Sequence, residues 1–153
     1  MGCRRAVDRQ PLKRLPLCVL LQQASVSTQA LKASKKEFVA THDYAQQMWS
    51  ALNHAVFGGV LKPTKFIIQE RKKWTFWGEC EGWQESNRWG AHYTKCIRLR
   101  RRWPHPKKFI AAMAHEMVHQ YEWERQGVMT HGKTFFAWKE KLAEKGITLS
   151  IYL

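Results

Sequence analysis

Residues 106–126 read PKKFIAAMAHEMVHQYEWERQ, and this stretch decides the fold because its apolar residues follow the period of an α-helix. They recur at three- and four-residue steps and so lie along one face. The stripe consists of Phe109, Ile110, Met113, Met117 and Tyr121. We therefore predict a helix that begins at Pro106 and turns this stripe towards a buried core.

The same helix carries the pentapeptide His115-Glu116-Met117-Val118-His119. Helical residues four apart are rotated by only about 40° and rise about 6 Å, so both imidazoles project from one face and can bind one metal ion. Catalytic zinc usually has three protein ligands and a water. His131 lies twelve residues after His119, beyond a turn at Gly127, and we predict that it is the third ligand.

Three histidine ligands leave the fourth position of a zinc ion for water, which is typical of catalytic sites rather than structural ones. Glu116 would take a proton from that water and deliver it to the leaving amine, so the implied reaction is peptide-bond hydrolysis. The alternative is that His115 and His119 are partly buried helix residues bonded to backbone groups, with Glu116 as a surface carboxylate.

A second helix is predicted upstream. Ser34-Lys35-Lys36-Glu37 has the form of a capping box, the pairing of side chains that satisfies free amides at a helix start. Apolar residues then recur at helical steps from Ala45 to Val56, and Gly58-Gly59 ends the helix.

Short β-rich runs at 65–69, 74–77 and 92–99 predict three strands, most simply an antiparallel meander. A last helix is predicted over 132–145, ending at Gly146. The expected fold is α+β, with a long N-terminal helix, a small antiparallel three-stranded sheet, the helix that carries the histidines and a C-terminal helix.

Residues 1–33 are interpreted as a basic, disordered extension, because they contain Pro11 and Pro16 and little periodicity. The domain is expected to span 34–153. The longest apolar run, at 17–21, is far shorter than the roughly 20 residues of a membrane span. The four cysteines fit neither a zinc ribbon nor a disulfide scaffold. We expect a soluble, monomeric, intracellular protein, nuclear if it is eukaryotic and otherwise cytoplasmic or nucleoid-associated.

The positive charge is concentrated in two segments. The chain has 26 Lys and Arg against 12 Asp and Glu, a net charge of +14. Residues 1–40 contain eight basic and two acidic residues, and residues 71–108 contain eleven basic and three acidic ones. Such clustering favours a polyanionic partner, most often nucleic acid.

Two runs in the second segment place cations beside indoles, an arrangement that suits phosphates and stacked, unpaired bases. The candidate nucleic-acid-binding residues are Arg71, Lys72, Lys73, Trp74, Arg100, Arg101, Arg102 and Trp103. We predict contact with DNA, preferentially single-stranded. The alternative is that the arginines solvate a surface and that Trp77 and Trp83 belong to the core.

At HEMVH (115–119) and HGKTF (131–135) the sequence resembles the SprT-like, or Spartan-related, metalloprotease family. The resemblance extends over about residues 40–150, without the cysteines of the C-terminal zinc ribbon in which such proteins commonly continue. It implies a minimal zincin-like domain in which His115, His119 and His131 bind Zn²⁺ and Glu116 is catalytic. It also implies protein substrates that are bound or crosslinked to DNA.

The predicted function is therefore a zinc-dependent endopeptidase that acts on DNA-associated proteins. One alternative is a DNA-binding adaptor whose zinc is structural, although a structural metal does not require Glu116. Another is a zinc-dependent nuclease, which ranks last because phosphodiester cleavage usually recruits carboxylates or two metals and the chain has only two Asp.

Overall fold

A computed structural model of the chain describes residues 15–34, 36–70, 76–86 and 90–151. Within these ranges the predicted α+β class is confirmed. The elements, in chain order, are α1 (Leu17–Ser34), β1 (Phe38–Val39), α2 (His42–Ala55), β2 (Lys65–Gln69), β3 (Gly78–Gln84), β4 (His92–Arg100), β5 (Arg102–Trp103), α3 (Pro106–Gln126), α4 (Lys133–Phe136) and α5 (Lys139–Ala143).

The predicted helix from Pro106 is α3, and it is the centre of the fold. His105 caps its start, where the ring Nδ1 accepts a hydrogen bond from the Lys108 amide at 3.3 Å. Gly127 ends it in the left-handed region at φ 67°, which glycine adopts without strain. Four of the five residues of the predicted stripe are buried: Phe109, Ile110, Met113 and Met117.

The three-stranded sheet packs against α3, but it is not antiparallel throughout. Its order is β2-β4-β3, in which β4 pairs parallel with β2 and antiparallel with β3. The expected meander is wrong because the chain places β3 on the far side of β4 instead of beside β2. Alternating apolar residues predict that a strand exists and do not specify its neighbour.

The second strand also begins later than expected, at Gly78 rather than within 74–77, and residues 71–75 lie outside the described ranges. β3 bulges between Glu81 and Gly82. The Trp123 indole of α3 packs so closely on Gly82 that no side chain would fit there. Glycine at this position therefore allows α3 to approach the sheet.

The expectation of disorder through residue 33 is wrong for residues 17–33, which belong to α1. The buried residues of α1 are spaced at helical intervals: Leu17, Leu20, Ala24 and Thr28. That face packs against α2 and α3. Residues 1–14 lie outside the described ranges.

The predicted capping box at 34–37 is also wrong, because Ser34 is the last residue of α1. α2 starts at His42, after Thr41, whose hydroxyl accepts a hydrogen bond from the Tyr44 amide at 3.1 Å. The motif in the sequence did not reveal that the preceding residues are already helical.

The predicted C-terminal helix is divided into two short helices, α4 and α5, around Ala137 and Trp138. Phe135 of α4 and Leu142 of α5 are both fully buried. No helix in the described part of the chain is long and apolar enough to cross a membrane.

Candidate metal centre

The structure brings the three predicted histidines together. His115 and His119 lie one turn apart on α3, and His131 reaches them from the loop before α4. Their Nε2 atoms form a nearly equilateral triangle, with separations of 3.2 Å between His115 and His119, 3.1 Å between His119 and His131, and 3.1 Å between His131 and His115.

In His115 and His119, the ring nitrogen that does not belong to the triangle, Nδ1, has its own partner, and that partner determines which nitrogen carries the proton. His115 Nδ1 lies 2.8 Å from the Ser150 carbonyl oxygen, and His119 Nδ1 lies 3.4 Å from Glu122 Oε2. Carbonyl and carboxylate oxygens accept hydrogen bonds, so we assign the proton of each ring to Nδ1. Burial lowers the pKa of His115 to about 4 and also lowers that of His119, so both rings are neutral near pH 7.

A neutral imidazole with a proton on Nδ1 has a bare lone pair on Nε2. The His115 and His119 Nε2 atoms therefore cannot hydrogen-bond to each other, although they are 3.2 Å apart. Two converging lone pairs repel each other unless a cation lies between them. The alternative, two partly buried helix histidines bonded to backbone groups, fits the contact between His115 and Ser150 but does not explain this convergence. Three nitrogens in this arrangement could hold a metal ion.

The spacing fits a small metal ion. Ligand bonds of about 2.0–2.1 Å in tetrahedral geometry, the values typical of zinc and imidazole, separate two nitrogens by about 3.3 Å. The observed separations of 3.1–3.2 Å are close to that value. Among the described residues, no other group of three His, Cys, Asp or Glu side chains is arranged to hold a metal ion.

Glu116 is buried beside this triangle and is not a surface carboxylate, with 5% of its surface exposed. Burial is the main cause that raises its pKa to about 8; nearby Glu79 raises it further, and a hydrogen bond with the Cys80 backbone lowers it. Gly78 of β3 packs against the same carboxyl group, where a Cβ atom would lie 2.9 Å from Glu116 Oε1. Glu116 is thus held between α3 and the edge strand β3.

Phe135 forms the floor of the histidine cluster. The ring is fully buried, and its centroid lies 4.9 Å from the ring centroid of each of the three histidines. It comes from α4, four residues after His131. Sequence reasoning quoted Phe135 within a family motif but assigned it no role.

Glu122 and Ser150 also contact the histidines, and sequence reasoning missed both. The spacing of Glu122 could have predicted its contact, because a residue three positions after His119 lies on the same helix face. No sequence pattern could have predicted the contact of Ser150, because it contributes a backbone carbonyl oxygen from the C-terminal segment.

The histidines and Glu116 line one open cleft of about 520 Å³. The other walls are largely apolar, and Phe76, Trp77, Met129 and Ile151 contribute to them. The histidine cluster is therefore reached from solvent through this cleft.

The predicted nucleic-acid-binding residues are only partly suited to that role. Trp103 is 1% exposed and its Nε1 donates to the Arg100 carbonyl at 2.7 Å, so it belongs to the core and cannot stack on a base. Arg102 lies 2.9 Å from Glu70 and 3.6 Å from Glu37. Arg101 is exposed.

Arg100 lies against the half-buried Trp77, with its guanidinium carbon 4.7 Å from the ring centroid. The other candidates, Arg71, Lys72, Lys73 and Trp74, lie outside the described residues. Among the described residues of this segment, Arg102 forms ion pairs within the fold, whereas Arg100 lies beside Trp77.

Comparison of the chain with protein-family models finds no match, and comparison with curated proteins finds none either.

Proposed function

We propose that this chain is a zinc-dependent endopeptidase with a SprT-like, zincin-like domain, and that it acts on proteins bound or crosslinked to DNA. The observation that carries the proposal is the convergence of three histidine Nε2 atoms within 3.2 Å of one another, beside a buried carboxyl group in an open cleft. His115, His119 and His131 would hold the ion.

When bound, zinc polarises a substrate carbonyl group and activates a water molecule as the nucleophile. Glu116 accepts the proton of the attacking water and then donates it to the nitrogen of the broken peptide bond. Burial raises the pKa of Glu116 in the metal-free chain, and a cation bound nearby would lower it again, so that the carboxylate could accept a proton near neutral pH. Gly78 and the Cys80 amide fix the position of the carboxyl group during both transfers.

The surface beside the cleft supports DNA as a partner. Trp77 lines the cleft and lies against two cations, with Arg100 at 4.7 Å and Lys108 Nζ at 5.7 Å from its ring centroid. Phe76 is 67% exposed next to it, and Lys107 is exposed at the start of α3. Cations that contact phosphates and aromatic rings that stack on bases are the features of a single-strand site.

The test is cleavage of a protein crosslinked to a single-stranded oligonucleotide, measured for zinc-loaded wild type and Glu116→Gln. We expect wild type to cut the protein part, and the variant to keep its zinc while its rate falls by about 10²–10⁴-fold. Glu140→Gln, an exposed change on α5, is the matched control and should retain the wild-type rate. Equal rates for Glu116→Gln and wild type would exclude the mechanism.

A further inference from the structure

Glu122 is a buried carboxyl group whose one basic neighbour among the described residues is a histidine, His119. It is 1% exposed, and among the described residues no Lys or Arg forms an ion pair with it. Burying a carboxyl group is costly unless its oxygens accept several hydrogen bonds. The fold therefore has to provide donors at this position.

Three donors surround Glu122, and each comes from a different part of the site. Oε2 lies 3.4 Å from His119 Nδ1 and accepts from the Thr130 amide at 3.1 Å. Oε1 accepts from the Thr134 hydroxyl at 2.6 Å. One carboxyl group thus joins α3, the loop before His131 and the start of α4.

These contacts bracket the third histidine. Thr130 directly precedes His131, and Thr134 follows it by three residues. His131 is exposed, and its loop has no regular secondary structure between Gly127 and Lys133. Because both flanks of His131 are bonded to Glu122, the carboxyl group limits how far the imidazole can move from the other two rings.

We infer that Glu122 is the positioning residue of the metal centre: it orients His119 through Nδ1 and holds His131 in place through Thr130 and Thr134. This inference rests on the proposed metal site. Groups that bind the outer nitrogen of a metal-binding histidine fix its tautomer and orientation, and their loss typically lowers metal affinity 10–100-fold. Glu122 acts on two of the three ligands at once.

Glutamine cannot replace this carboxyl group fully. Its single amide oxygen is uncharged and is therefore a weaker acceptor for His119 Nδ1 and the Thr130 amide than a carboxylate oxygen, and its NH₂ group would face the Thr134 hydroxyl, which would have to accept instead of donate. Glu122→Gln should therefore weaken zinc binding about 10–100-fold, measured by competition with a chromogenic chelator. The visible spectrum of the Co²⁺-loaded variant should also change, because a displaced His131 alters the coordination of the metal.

Glu124→Gln is the matched control. Glu124 lies two residues further along α3 and accepts from the Lys62 amide and from Gln120, away from the three histidines. We expect its zinc affinity and Co²⁺ spectrum to equal those of wild type. Thr134→Val removes one of the three donors and retains the Glu122 carboxyl group. We expect it to lose less zinc affinity than Glu122→Gln. This variant tests the inference even if Glu122→Gln does not fold.

A double-mutant cycle tests the path through His131. If Glu122 acts partly by holding that residue, Glu122→Gln should cost less zinc affinity in a His131→Ala background than in wild type. An equal loss in both backgrounds would contradict that part of the inference. Wild-type affinity in both Glu122→Gln and Thr134→Val would overturn the inference as a whole. If wild type itself binds no zinc, the proposed function fails instead.

Discussion

The backbone of Gly78 packs so tightly on the Glu116 side chain that a Cβ atom at position 78 would lie 2.9 Å from Glu116 Oε1 and 3.1 Å from its Cγ. The same atom would lie 2.8 Å from a methyl group of the fully buried Leu99. Leu99 cannot move without disturbing the core, whereas the Glu116 carboxyl group lines the cleft, so a side chain at position 78 would displace the carboxyl group.

Gly78→Ala should therefore displace Glu116 and lower the peptidase rate while zinc remains bound. A misplaced proton acceptor commonly costs about 10²-fold in rate. The measurement is kcat together with zinc content. In a Glu116→Gln background the same glycine change should have little further effect, and a full additional loss there would show that Gly78 acts through another residue.

The metal-free protein should show the raised pKa of Glu116 in its stability. Folding raises this pKa to about 8 from its ordinary value of 4.5, so between those pH values the folded state binds more protons than the unfolded state. Stability contributed by the protonated group is complete below about pH 4.5 and is lost as the pH rises towards 8.

Glu116→Gln lacks this titration. In the presence of a chelator, the variant should gain unfolding temperature relative to wild type as the pH rises from about 4.5 to 8, and the difference should level off above that range. Calorimetry over this range provides the measurement. A constant difference would mean that the buried carboxyl group titrates as it does in the unfolded chain.

Phe135→Ala should destabilise the domain and loosen the histidine cluster, because the fully buried ring contacts all three imidazoles. Truncating a core Phe costs about 3–5 kcal/mol. Urea unfolding with a chelator measures this cost, and a zinc competition assay measures the affinity. Phe136→Ala is the neighbouring control: that side chain is 41% exposed, so we expect a much smaller effect.

DNA binding should depend on Lys108, which lies beside Trp77, and on the exposed Lys107 next to it in the sequence. Charge reversal at Lys107 and Lys108 should weaken single-strand binding and flatten its dependence on salt, because fewer counterions are released from phosphates. The matched control reverses Lys139 and Lys145, which are exposed in and after α5 and change the net charge equally. Similar salt slopes for both double variants would indicate attraction without a localised site.

The helix that carries the metal-binding pattern could be predicted because its information is local. The distance from His115 to His119 along α3 follows from helix geometry alone, and the turn at Gly127 indicated where a third ligand could return. Phe135 and Ser150 act through tertiary contacts, which a single sequence does not encode in its spacing.

The errors of prediction share a cause. The three arginines before Trp103 predict a surface position for it, yet its ring is buried and packs against Phe109 at a centroid distance of 5.4 Å. α1 was missed because its buried face is narrow and partly polar, with Thr28 among its buried residues. In both cases the packing partner, and not local composition, determines the burial.

The central claim is that three histidines from two segments hold one catalytic zinc ion, and zinc titration of wild type and His131→Ala tests it most directly. The account predicts about one zinc per chain for wild type and a large loss of affinity for His131→Ala, comparable with that of His115→Ala. Stoichiometric zinc at unchanged affinity in His131→Ala would contradict it.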